Sequence, residues 1–300
     1  MSTQHFLTLF DYSANDLQAL IDRAIEIKQW LKSGKQHTPL VGKNLAMLFE
    51  KSSTRTRVSF ETGMAQLGGS SLFLSSTNTQ MGRGEPIKDS ARVISSMVDG
   101  VMIRTHGHAI VEEFAKYSSV PVINALTDDY HPCQLLADVM TFQELRGNIK
   151  GATVAWIGDG NNMCQSFMNA AELFDFTLNI ACPEKFLPKT ELVKARANNI
   201  VLCDSPEQAA TNVDLIVTDT WASMGQEDEK TIRMQAFEGF CVDDKMLKLA
   251  NKDALFMHCL PAYRGFETTD AVIEGSQSAV FQEAENRLHA QKALLEDLLA

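Results

Sequence analysis

Hydroxyl and guanidinium side chains alternate without interruption in the segment Ser53-Thr54-Arg55-Thr56-Arg57. The segment follows a short apolar run, Leu45 to Phe49, and leads into a stretch with helical spacing, Val58 to Leu67. Free N–H groups at a helix N-terminus and the helix dipole favour an anion, and arginine binds phosphate through paired hydrogen bonds. The simpler alternative is a helix cap followed by solvated basic residues. The unbroken alternation favours a phosphate-binding segment.

Two other motifs open predicted helices. In His131-Pro132-Cys133-Gln134, proline suits the first turn, and the glutamine lies one turn after the histidine on the same face. The imidazole could donate to a carbonyl oxygen, or it could be a capping or core histidine. The segment Gly158-Asp159-Gly160-Asn161-Asn162 lacks the third glycine of a dinucleotide-binding fingerprint, because Met163 stands there. Its asparagines could bind a polar small molecule or cap the helix.

Two further motifs follow predicted strands near the C-terminal half of the chain. Asp219 could pair with an amino group of a ligand, although a turn-forming aspartate explains it equally well. His258 and Cys259 are adjacent, and neighbouring residues of a strand point to opposite faces, so a catalytic dyad between them is not expected. The sequence has no H-E-x-x-H or comparable spacing, and we expect no metal.

The composition of the 300 residues, 45% hydrophobic and 22% charged, is that of a soluble globular protein. A net charge of −11 argues against a nucleic-acid surface, but a local arginine cluster can still hold a small anion. The six cysteines show no C-x-x-C pair, which favours reduced thiols. Residues 1–10 do not resemble a signal peptide and no apolar stretch could span a bilayer, so we expect a cytoplasmic protein.

Predicted strands and helices alternate at intervals that favour parallel sheets covered by helices. Glycines at Gly147 and Gly151 mark a break, after which the alternation restarts. We therefore predict an α/β protein with two doubly wound parallel-sheet domains that meet near residues 131–151. Such folds bind ligands beyond the carboxyl ends of their strands, where all the motifs above fall. The sequence thus predicts one active site in the cleft between the domains.

Together with Glu285-Asn286-Arg287, these motifs resemble the signature segments of ornithine carbamoyltransferases, in that family's order and over nearly the whole chain. The S-T-R-T-R and H-P-x-Q segments mark carbamoyltransferases in general. The D-x-x-x-S-M-G segment that begins at Asp219, and His258-Cys259-Leu260-Pro261, favour ornithine as the acceptor. The resemblance implies transfer of the carbamoyl group of carbamoyl phosphate to the δ-amine of L-ornithine, giving citrulline and phosphate, as in arginine biosynthesis. It implies no metal and no organic cofactor.

The resemblance also implies roles for individual residues. Carbamoyl phosphate would be held by Ser53, Thr54, Arg55, Thr56, Arg104, His131, Pro132, Cys133, Gln134, Arg287 and the main chain of Cys259 and Leu260. Ornithine would be held by Asn162, Asp219, Ser223 and Met224. Asp219 and Cys259 are the candidates for taking the proton of the amine, and Arg55, Arg104 and His131 those for stabilising the oxyanion. Gln80 matches a position that reaches carbamoyl phosphate in a neighbouring subunit, which implies a homotrimer with shared sites.

For the domains, the resemblance implies a carbamoyl-phosphate-binding domain over residues 1–147, completed by the C-terminal helix at residues 283–300. Residues 148–282 would form the ornithine-binding domain. Three alternatives remain open at this point. The acceptor could be N-acetylornithine, putrescine or aspartate, or the enzyme could run in the catabolic direction. The third alternative is a non-catalytic binding or regulatory protein with this fold. Such a protein would be expected to have a degraded motif, and the sequence shows none.

Overall fold

The computed structural model describes residues 3–75, 84–221 and 230–300. The chain divides into two compact units, unit 1 with Met1–Met140 and Glu285–Ala300, and unit 2 with Thr141–Ala284. Each unit contains a parallel sheet with helices, which confirms the predicted α/β class with two parallel-sheet domains. Within the described ranges, no helix combines the length and the apolar character that crossing a membrane requires.

Strands and α-helices alternate along the described residues. The strands are β1 (Asn44–Phe49), β2 (Ser70–Ser75), β3 (Gly100–Arg104), β4 (Val122–Leu126), β5 (Thr153–Ile157), β6 (Thr177–Ala181), β7 (Ile200–Leu202), β8 (Leu215–Thr218) and β9 (Leu255–His258). The α-helices are α1 (Ala14–Lys32), α2 (Thr54–Gln66), α3 (Ile87–Ser95), α4 (His108–Tyr117), α5 (Pro132–Arg146), α6 (Asn162–Phe174), α7 (Thr190–Ala195), α8 (Pro206–Ala210), α9 (Lys230–Ala236), α10 (Asp244–Leu247), α11 (Asp270–Ile273) and α12 (Val280–Leu299).

The sheet of unit 1 has the strand order β2-β1-β3-β4, with every pair parallel. β1 is central and its residues from Leu45 to Phe49 are buried, which explains why it reads as a continuous apolar run. The chain leaves β1 toward β2 and then returns to form β3 on the other side. The carboxyl ends of β1 and β3 therefore flank the topological switch point of the sheet, where the connections from neighbouring strands run in opposite directions. At this point Phe49 is in register with Arg104.

The sheet of unit 2 has the strand order β7-β6-β5-β8-β9, again parallel throughout. β5 is central, and Trp156 within it is fully buried. The chain proceeds from β5 to β6 on one side, and later forms β8 on the other. The switch point of this sheet thus lies between β5 and β8, and the next strand pair places Thr218 beside His258.

Two helices begin at residues other than those that the apolar spacing of the sequence indicates. α2 begins at Thr54, before the apolar spacing starts, because Ser53 caps the helix through its side chain. The helix α7 begins at Thr190 and does not extend back to the apolar Leu187, since Pro188 disfavours helical backbone at the residue before it. The short helices α8, α10 and α11 were not predicted, because four or five residues are too few to show a helical period.

Candidate active site

The predicted phosphate-binding segment forms the N-terminus of α2 in unit 1. Ser53 is the N-cap, and its Oγ accepts a hydrogen bond from the backbone N–H of Thr56 at 3.3 Å. The same hydroxyl donates to Oγ1 of Thr56 at 3.1 Å. Thr54 and Arg55 therefore lie in the first turn, where backbone N–H groups have no carbonyl partner within the helix and the helix dipole favours an anion. The local structure provides an anion-binding helix N-terminus.

Three arginines act on the buried side chain of His131. Arg104 ends β3 and is itself buried, Arg55 lies in the first turn of α2, and Arg287 lies on α12. Burial lowers the pKa of His131 well below its usual value of 6.5, and the charges of Arg287, Arg104 and Arg55 lower it further. The imidazole is therefore neutral at neutral pH, and it can donate a hydrogen bond without carrying a charge.

Arg287 connects two of the motifs by direct hydrogen bonds. Its Nη1 donates to Oε1 of Gln134 at 2.6 Å, and its Nη2 donates to Oγ1 of Thr56 at 3.2 Å. Nε2 of Gln134 in turn donates to Oδ1 of Asp138 at 2.8 Å. With the amide of Gln291 oriented so that its oxygen faces Arg287, that oxygen accepts from Nε and Nη2 at 3.2 Å. A buried chain of hydrogen bonds thus runs from α2 through α12 to α5.

The two residues between His131 and Gln134 have different surroundings. Pro132 is the first residue of α5, as the motif predicted. The Sγ of Cys133 donates to the carbonyl oxygen of Asn124 at 3.4 Å, and burial raises the pKa of this thiol to about 12. The thiol is therefore protonated and turned toward β4, so any contact of Cys133 with a ligand would involve its main chain.

Arg57, the last residue of the phosphate-binding segment, faces a different environment from Arg55. Its Nε donates to Oε1 of Glu61 at 2.9 Å, and its guanidinium carbon lies 4.0 Å from the ring centroid of Phe73. The side chain is 47% exposed. Arg57 therefore stabilises the outer face of α2 against β2, which accounts for its place in the motif without a direct role in binding.

In unit 2, an aspartate bridges the switch point of the sheet. Asp219 follows β8 directly, and its Oδ2 accepts a hydrogen bond from Nδ2 of Asn161, which follows β5, at 2.9 Å. Its Oδ1 accepts from the backbone N–H of Thr220 at 2.7 Å and from Sγ of Cys259 at 3.2 Å. The carboxylate is buried and held by partners from three segments, so its orientation is fixed before a ligand arrives.

The reason given for expecting no dyad between His258 and Cys259 does not hold, because Cys259 lies beyond the end of β9, where strand alternation no longer applies. Ligand atoms of Asp219, His258 and Cys259 all lie within 4.8 Å of one another, but Cys259 donates to Asp219. The imidazole nevertheless has other partners, because Nδ1 accepts from the backbone N–H of Leu260 at 2.9 Å and Nε2 lies 3.2 Å from Oε1 of Glu267. These two bonds assign a neutral imidazole that carries its proton on Nε2.

Carboxylate, imidazole and thiol atoms at this spacing could coordinate a metal ion, which the spacing of the sequence motifs did not indicate. In the structure Asp219 is hydrogen-bonded to Asn161, Thr220 and Cys259, whereas His258 is bonded to Leu260 and Glu267.

The backbone at Leu260 adopts an unusual conformation. Its φ of +56° lies in the left-handed region, which a leucine rarely adopts. The hydrogen bond from its N–H to Nδ1 of His258 holds this conformation. Backbone strain of this kind costs of order 1–3 kcal/mol and is concentrated at functional sites. The main chain that follows β9 is thus fixed by the buried histidine.

Two further residues contribute to this part of unit 2. Asn161, one of the two asparagines that the sequence offered as ligand-binding or capping residues, is the N-cap of α6 and the partner of Asp219, and Asn162 is the first residue of that helix. Arg233 of α9 is buried and forms an ion pair with Oδ2 of Asp159 at 2.5 Å, and it donates to the carbonyl oxygen of Trp221 at 2.9 Å. The doubled asparagine was a visible signal for the first, whereas an isolated arginine within a short helix gave no signal for the second.

The predicted site residues Gln80, Ser223 and Met224 lie outside the described residues. The structure brings Thr56, Gln134 and Arg287 into direct contact, and the charges of Arg55, Arg104 and Arg287 act on His131. In unit 2 it brings Asp219 and Cys259 together. Unit 1 thus offers buried positive charge with neutral hydrogen-bonding groups, and unit 2 offers an oriented carboxylate beside a thiol.

Comparison with known proteins decides the family. Residues 4–144 match the family model described as aspartate/ornithine carbamoyltransferase, carbamoyl-P binding domain, and residues 150–298 match the Asp/Orn binding domain of the same family. The ornithine carbamoyltransferase of Hydrogenovibrio crunogenus is 60% identical over 300 residues, covering 100% of this chain and 99% of the relative. The chain belongs to the aspartate/ornithine carbamoyltransferase family.

Solved structures of the same family share the fold. The ornithine carbamoyltransferase of Burkholderia thailandensis is 49% identical with a TM-score of 0.92, covering 99% of this chain and 98% of that one. The enzyme of the same name from Pyrococcus furiosus is 46% identical with a TM-score of 0.95, covering 99% and 97%. The predicted resemblance to the carbamoyltransferase family is therefore confirmed, and it extends over nearly the whole chain.

Proposed function

We propose that this protein transfers the carbamoyl group of carbamoyl phosphate to the δ-amine of L-ornithine, giving L-citrulline and phosphate. The observation that carries the proposal is the hydrogen-bonded junction of Arg287 with Gln134 and Thr56. It joins an anion-binding helix N-terminus to an uncharged amide. A ligand with a phosphate at one end and a small polar amide at the other matches that pair of environments.

In this proposal the phosphate lies at the N-terminus of α2. It is bound by the hydroxyl and backbone groups of the first turn and by guanidinium groups, with the assignment Ser53, Thr54, Arg55, Thr56, Arg104 and Arg287. The support is physical: hydroxyl donors, backbone N–H groups and several positive charges converge in unit 1, within a chain whose net charge is −11. Such preorganised positive charge stabilises the departing phosphate.

The carbamoyl group is assigned to His131, Gln134 and the main chain of Pro132 and Cys133. The neutral imidazole of His131 would donate to the carbonyl oxygen, and this donation strengthens as negative charge develops on that oxygen during attack. Oε1 of Gln134 would accept from the carbamoyl amide. Because the imidazole is neutral, it adds no fixed positive charge that would stabilise the substrate and the transition state equally.

The ornithine half of the proposal rests on unit 2 and on the relatives, which carry the name ornithine carbamoyltransferase. The attacking amine must be neutral, yet an alkylamine has a pKa near 10.4. Asp219, oriented by Asn161 and Cys259, is the proposed group that pairs with the ammonium form and takes its proton, with Cys259 as the neighbouring donor. Asn162, Ser223 and Met224 are the remaining proposed contacts of ornithine.

The main chain of Cys259 and Leu260 is a further proposed contact of the carbamoyl group. The left-handed backbone at Leu260, fixed by its bond to His258, supports this assignment because it determines where the following carbonyl points. The proposal requires neither a covalent intermediate nor a metal or organic cofactor, since proton transfer and electrostatic stabilisation supply the chemistry.

The test is the reaction itself. Purified protein supplied with carbamoyl phosphate and L-ornithine should release one phosphate for each citrulline formed. The Arg55→Ala variant should lose carbamoyl phosphate binding, while Arg57→Ala, a guanidinium of the same motif bonded to Glu61, should retain it. Phosphate release without citrulline, or equal effects of the two variants, would count against the proposal.

We also propose a homotrimer in which Gln80 reaches the carbamoyl phosphate of a neighbouring subunit. The support is that β2 lies at the edge of its sheet and that its Leu72 and Phe73 are 52% and 38% exposed. Natural proteins cover or charge the exposed edge of a sheet, so an apolar edge strand is a place where another chain can associate. A second copy of the chain is the partner that the family resemblance implies.

Sedimentation velocity tests the assembly. The wild-type protein should sediment with three times the mass of the 33.2 kDa chain, and Leu72→Glu should shift it toward monomer with loss of activity. Leu31→Glu, an exposed leucine on α1, is the matched control and should leave the trimer intact. A wild-type monomer with full activity would refute shared sites. Arginine biosynthesis in the cytoplasm is the proposed context, testable by rescue of an arginine auxotroph that lacks this activity.

A further inference from the structure

A buried arginine links the two segments of unit 2 that follow the central strands of its sheet. Arg233 lies on α9 and is 7% exposed. Its Nη1 donates to Oδ2 of Asp159 at 2.5 Å and to the carbonyl oxygen of Trp221 at 2.9 Å. Asp159 follows β5 and Trp221 follows β8, and these two strands are neighbours in the sheet. One guanidinium nitrogen therefore joins the two segments at the switch point.

A second hydrogen bond connects the same two segments. Nδ2 of Asn161 donates to Oδ2 of Asp219 at 2.9 Å. Asn161 stands two residues after Asp159, and Asp219 stands two residues before Trp221. The segments are thus connected at two places, once directly and once through Arg233. The direct connection holds the aspartate that is proposed to act on the amine, whereas Arg233 has no assigned part in the reaction.

The segment that follows β5 has a fixed position in unit 2. The N–H of Gly160 donates to the carbonyl oxygen of Phe186 at 2.8 Å. A Cβ atom at Gly160 would lie 2.2 Å from the backbone nitrogen of Pro188, so this close approach requires glycine. Nε1 of Trp156 donates to the carbonyl oxygen of Asp159 at 2.9 Å. The segment is therefore a firm support to which the segment after β8 is attached.

The number of connections matters for the orientation of Asp219. A single hydrogen bond fixes one point of a segment and leaves it able to rotate about that point, whereas a second connection two residues away prevents the rotation. Asp219 has two other donors, but the N–H of Thr220 belongs to the same segment and the thiol of Cys259 is a weak donor. A displacement of roughly 1 Å in a reacting group can lower a rate about 100-fold.

We propose that Arg233 is a positioning residue that, together with Asn161, holds the segment carrying Asp219 in the orientation that the acceptor amine requires. This inference rests on the proposed function, because it concerns how the same aspartate is presented to ornithine. Asp219 has to lie within hydrogen-bond reach of the amine, so a displaced segment lowers kcat/KM. Because each connection limits the movement that the other allows, losing both should cost more than the two separate losses combined.

A double-mutant cycle tests whether the two connections act on one segment. Arg233→Met removes both hydrogen bonds and keeps an unbranched side chain beside Phe186, whose ring centroid lies 4.6 Å from the guanidinium carbon. Asn161→Ser removes the other connection, because serine still caps a helix but is too short to reach Asp219. The full-length protein is assayed for kcat/KM with L-ornithine at saturating carbamoyl phosphate.

The two single variants and the double variant should differ in a defined way. Each single variant should lower kcat/KM for ornithine by about fivefold, the order of one hydrogen bond. The double variant should lose at least about fivefold more than the product of the single losses, which is the coupling expected of groups that act on one element. A role of Arg233 only in the packing of α9 would reduce stability without such coupling.

Arg196→Met is the matched control. Arg196 is another largely buried arginine of unit 2, and it likewise pairs with a carboxylate, that of Glu172 at 3.4 Å. It also donates to a carbonyl oxygen, that of Leu192 at 3.3 Å. Combined with Asn161→Ser, this variant should show a loss equal to the product of the single losses. Carbamoyl phosphate binding should stay within about twofold in every variant, because its proposed side-chain contacts all lie in unit 1.

An excess loss that occurs with Arg233→Met and not with Arg196→Met supports the inference. A double variant whose loss equals the product of the single losses, or an equal excess with Arg196→Met, would overturn it. If Arg233→Met does not fold, it is combined with Asp159→Asn, which leaves no unpaired buried carboxylate, and the same excess is expected. A wild-type protein that forms no citrulline from L-ornithine would instead overturn the proposed function, so the two failures can be told apart.

Discussion

Arg287 donates a 2.6 Å hydrogen bond from Nη1 to Oε1 of Gln134, although 153 residues separate the two in sequence. The same guanidinium donates from Nη2 to Oγ1 of Thr56 on α2. A planar guanidinium presents its N–H donors in a fixed fork, so one buried side chain sets the spacing between the N-terminus of α2 and the start of α5. The proposed phosphate-binding and carbamoyl-binding groups of unit 1 are therefore linked through one guanidinium.

Replacing Arg287 with lysine tests this arrangement. A single ammonium cannot reproduce both hydrogen bonds, and the buried Oε1 of Gln134 loses its donor, so Arg287→Lys should weaken carbamoyl phosphate binding by at least about tenfold. Titration calorimetry measures the change. Arg23→Lys is the matched control, because Arg23 also makes two hydrogen bonds from one guanidinium, to Glu296. Equal losses in the two variants would contradict a specific role for Arg287.

The neutral imidazole of His131 leads to a prediction for catalysis. His131→Ala should lower kcat/KM by about 100- to 1000-fold, the usual effect of removing one donor to a developing oxyanion. His131→Gln retains an N–H donor and should lose less. Because burial and three arginines lower the pKa of His131, nuclear magnetic resonance of histidine-labelled protein should show this imidazole neutral at pH 6. An imidazolium at that pH would refute the assigned state.

A second buried histidine predicts how stability depends on pH. Burial, together with the charges of Lys28 and Lys292, lowers the pKa of His289 from 6.5 to about 4, although Glu285 acts in the opposite direction. The unfolded chain binds a proton below about pH 6.5 and the folded chain does not, so the free energy of unfolding should fall as pH decreases from 6.5 to 4. Urea titrations of His289→Gln should show a smaller fall over this range. A parallel pH dependence in wild type and variant would exclude this origin.

The hydrogen bonds of Asp219 predict a division between the two substrates. Asp219→Asn replaces one acceptor oxygen with a donor that faces Asn161 or Cys259, so ornithine KM should rise or kcat should fall at least tenfold. Carbamoyl phosphate binding, whose proposed side-chain contacts all lie in unit 1, should stay within about twofold. Cys259→Ser keeps a donor toward Asp219 and should be less damaging than Cys259→Ala. Equal weakening of both substrates by Asp219→Asn would contradict the division.

Local sequence patterns predicted the strand ends and helix starts on which most site residues lie. Ser53 to Arg57 falls at the start of α2 and Pro132 opens α5, because hydroxyl caps and first-turn prolines act through their immediate neighbours. The parallel sheets followed from the alternation of strands and helices. In each unit, the candidate site residues are grouped near the carboxyl ends of the strands.

Such local patterns do not predict contacts between segments that are distant in the sequence. Several polar residues of α12, among them Asn286, Arg287 and Gln291, are buried, although periodicity alone would assign them to a solvent-exposed face. The resemblance supplied Arg287, but its bond to Gln134 depends on how α12 packs in unit 1. The proximity of His258 and Cys259 was missed because β9 ends at His258, so strand alternation does not extend to Cys259.

The central claim concerns the identity of the acceptor amine. A comparison of kcat/KM among amines tests this claim directly. Citrulline-type products should be followed with carbamoyl phosphate and, in separate reactions, L-ornithine, N-acetylornithine, putrescine and aspartate. The highest kcat/KM is expected with L-ornithine, with one phosphate released per citrulline. A higher kcat/KM with any of the other three amines, or no carbamoylated product from L-ornithine, would contradict it.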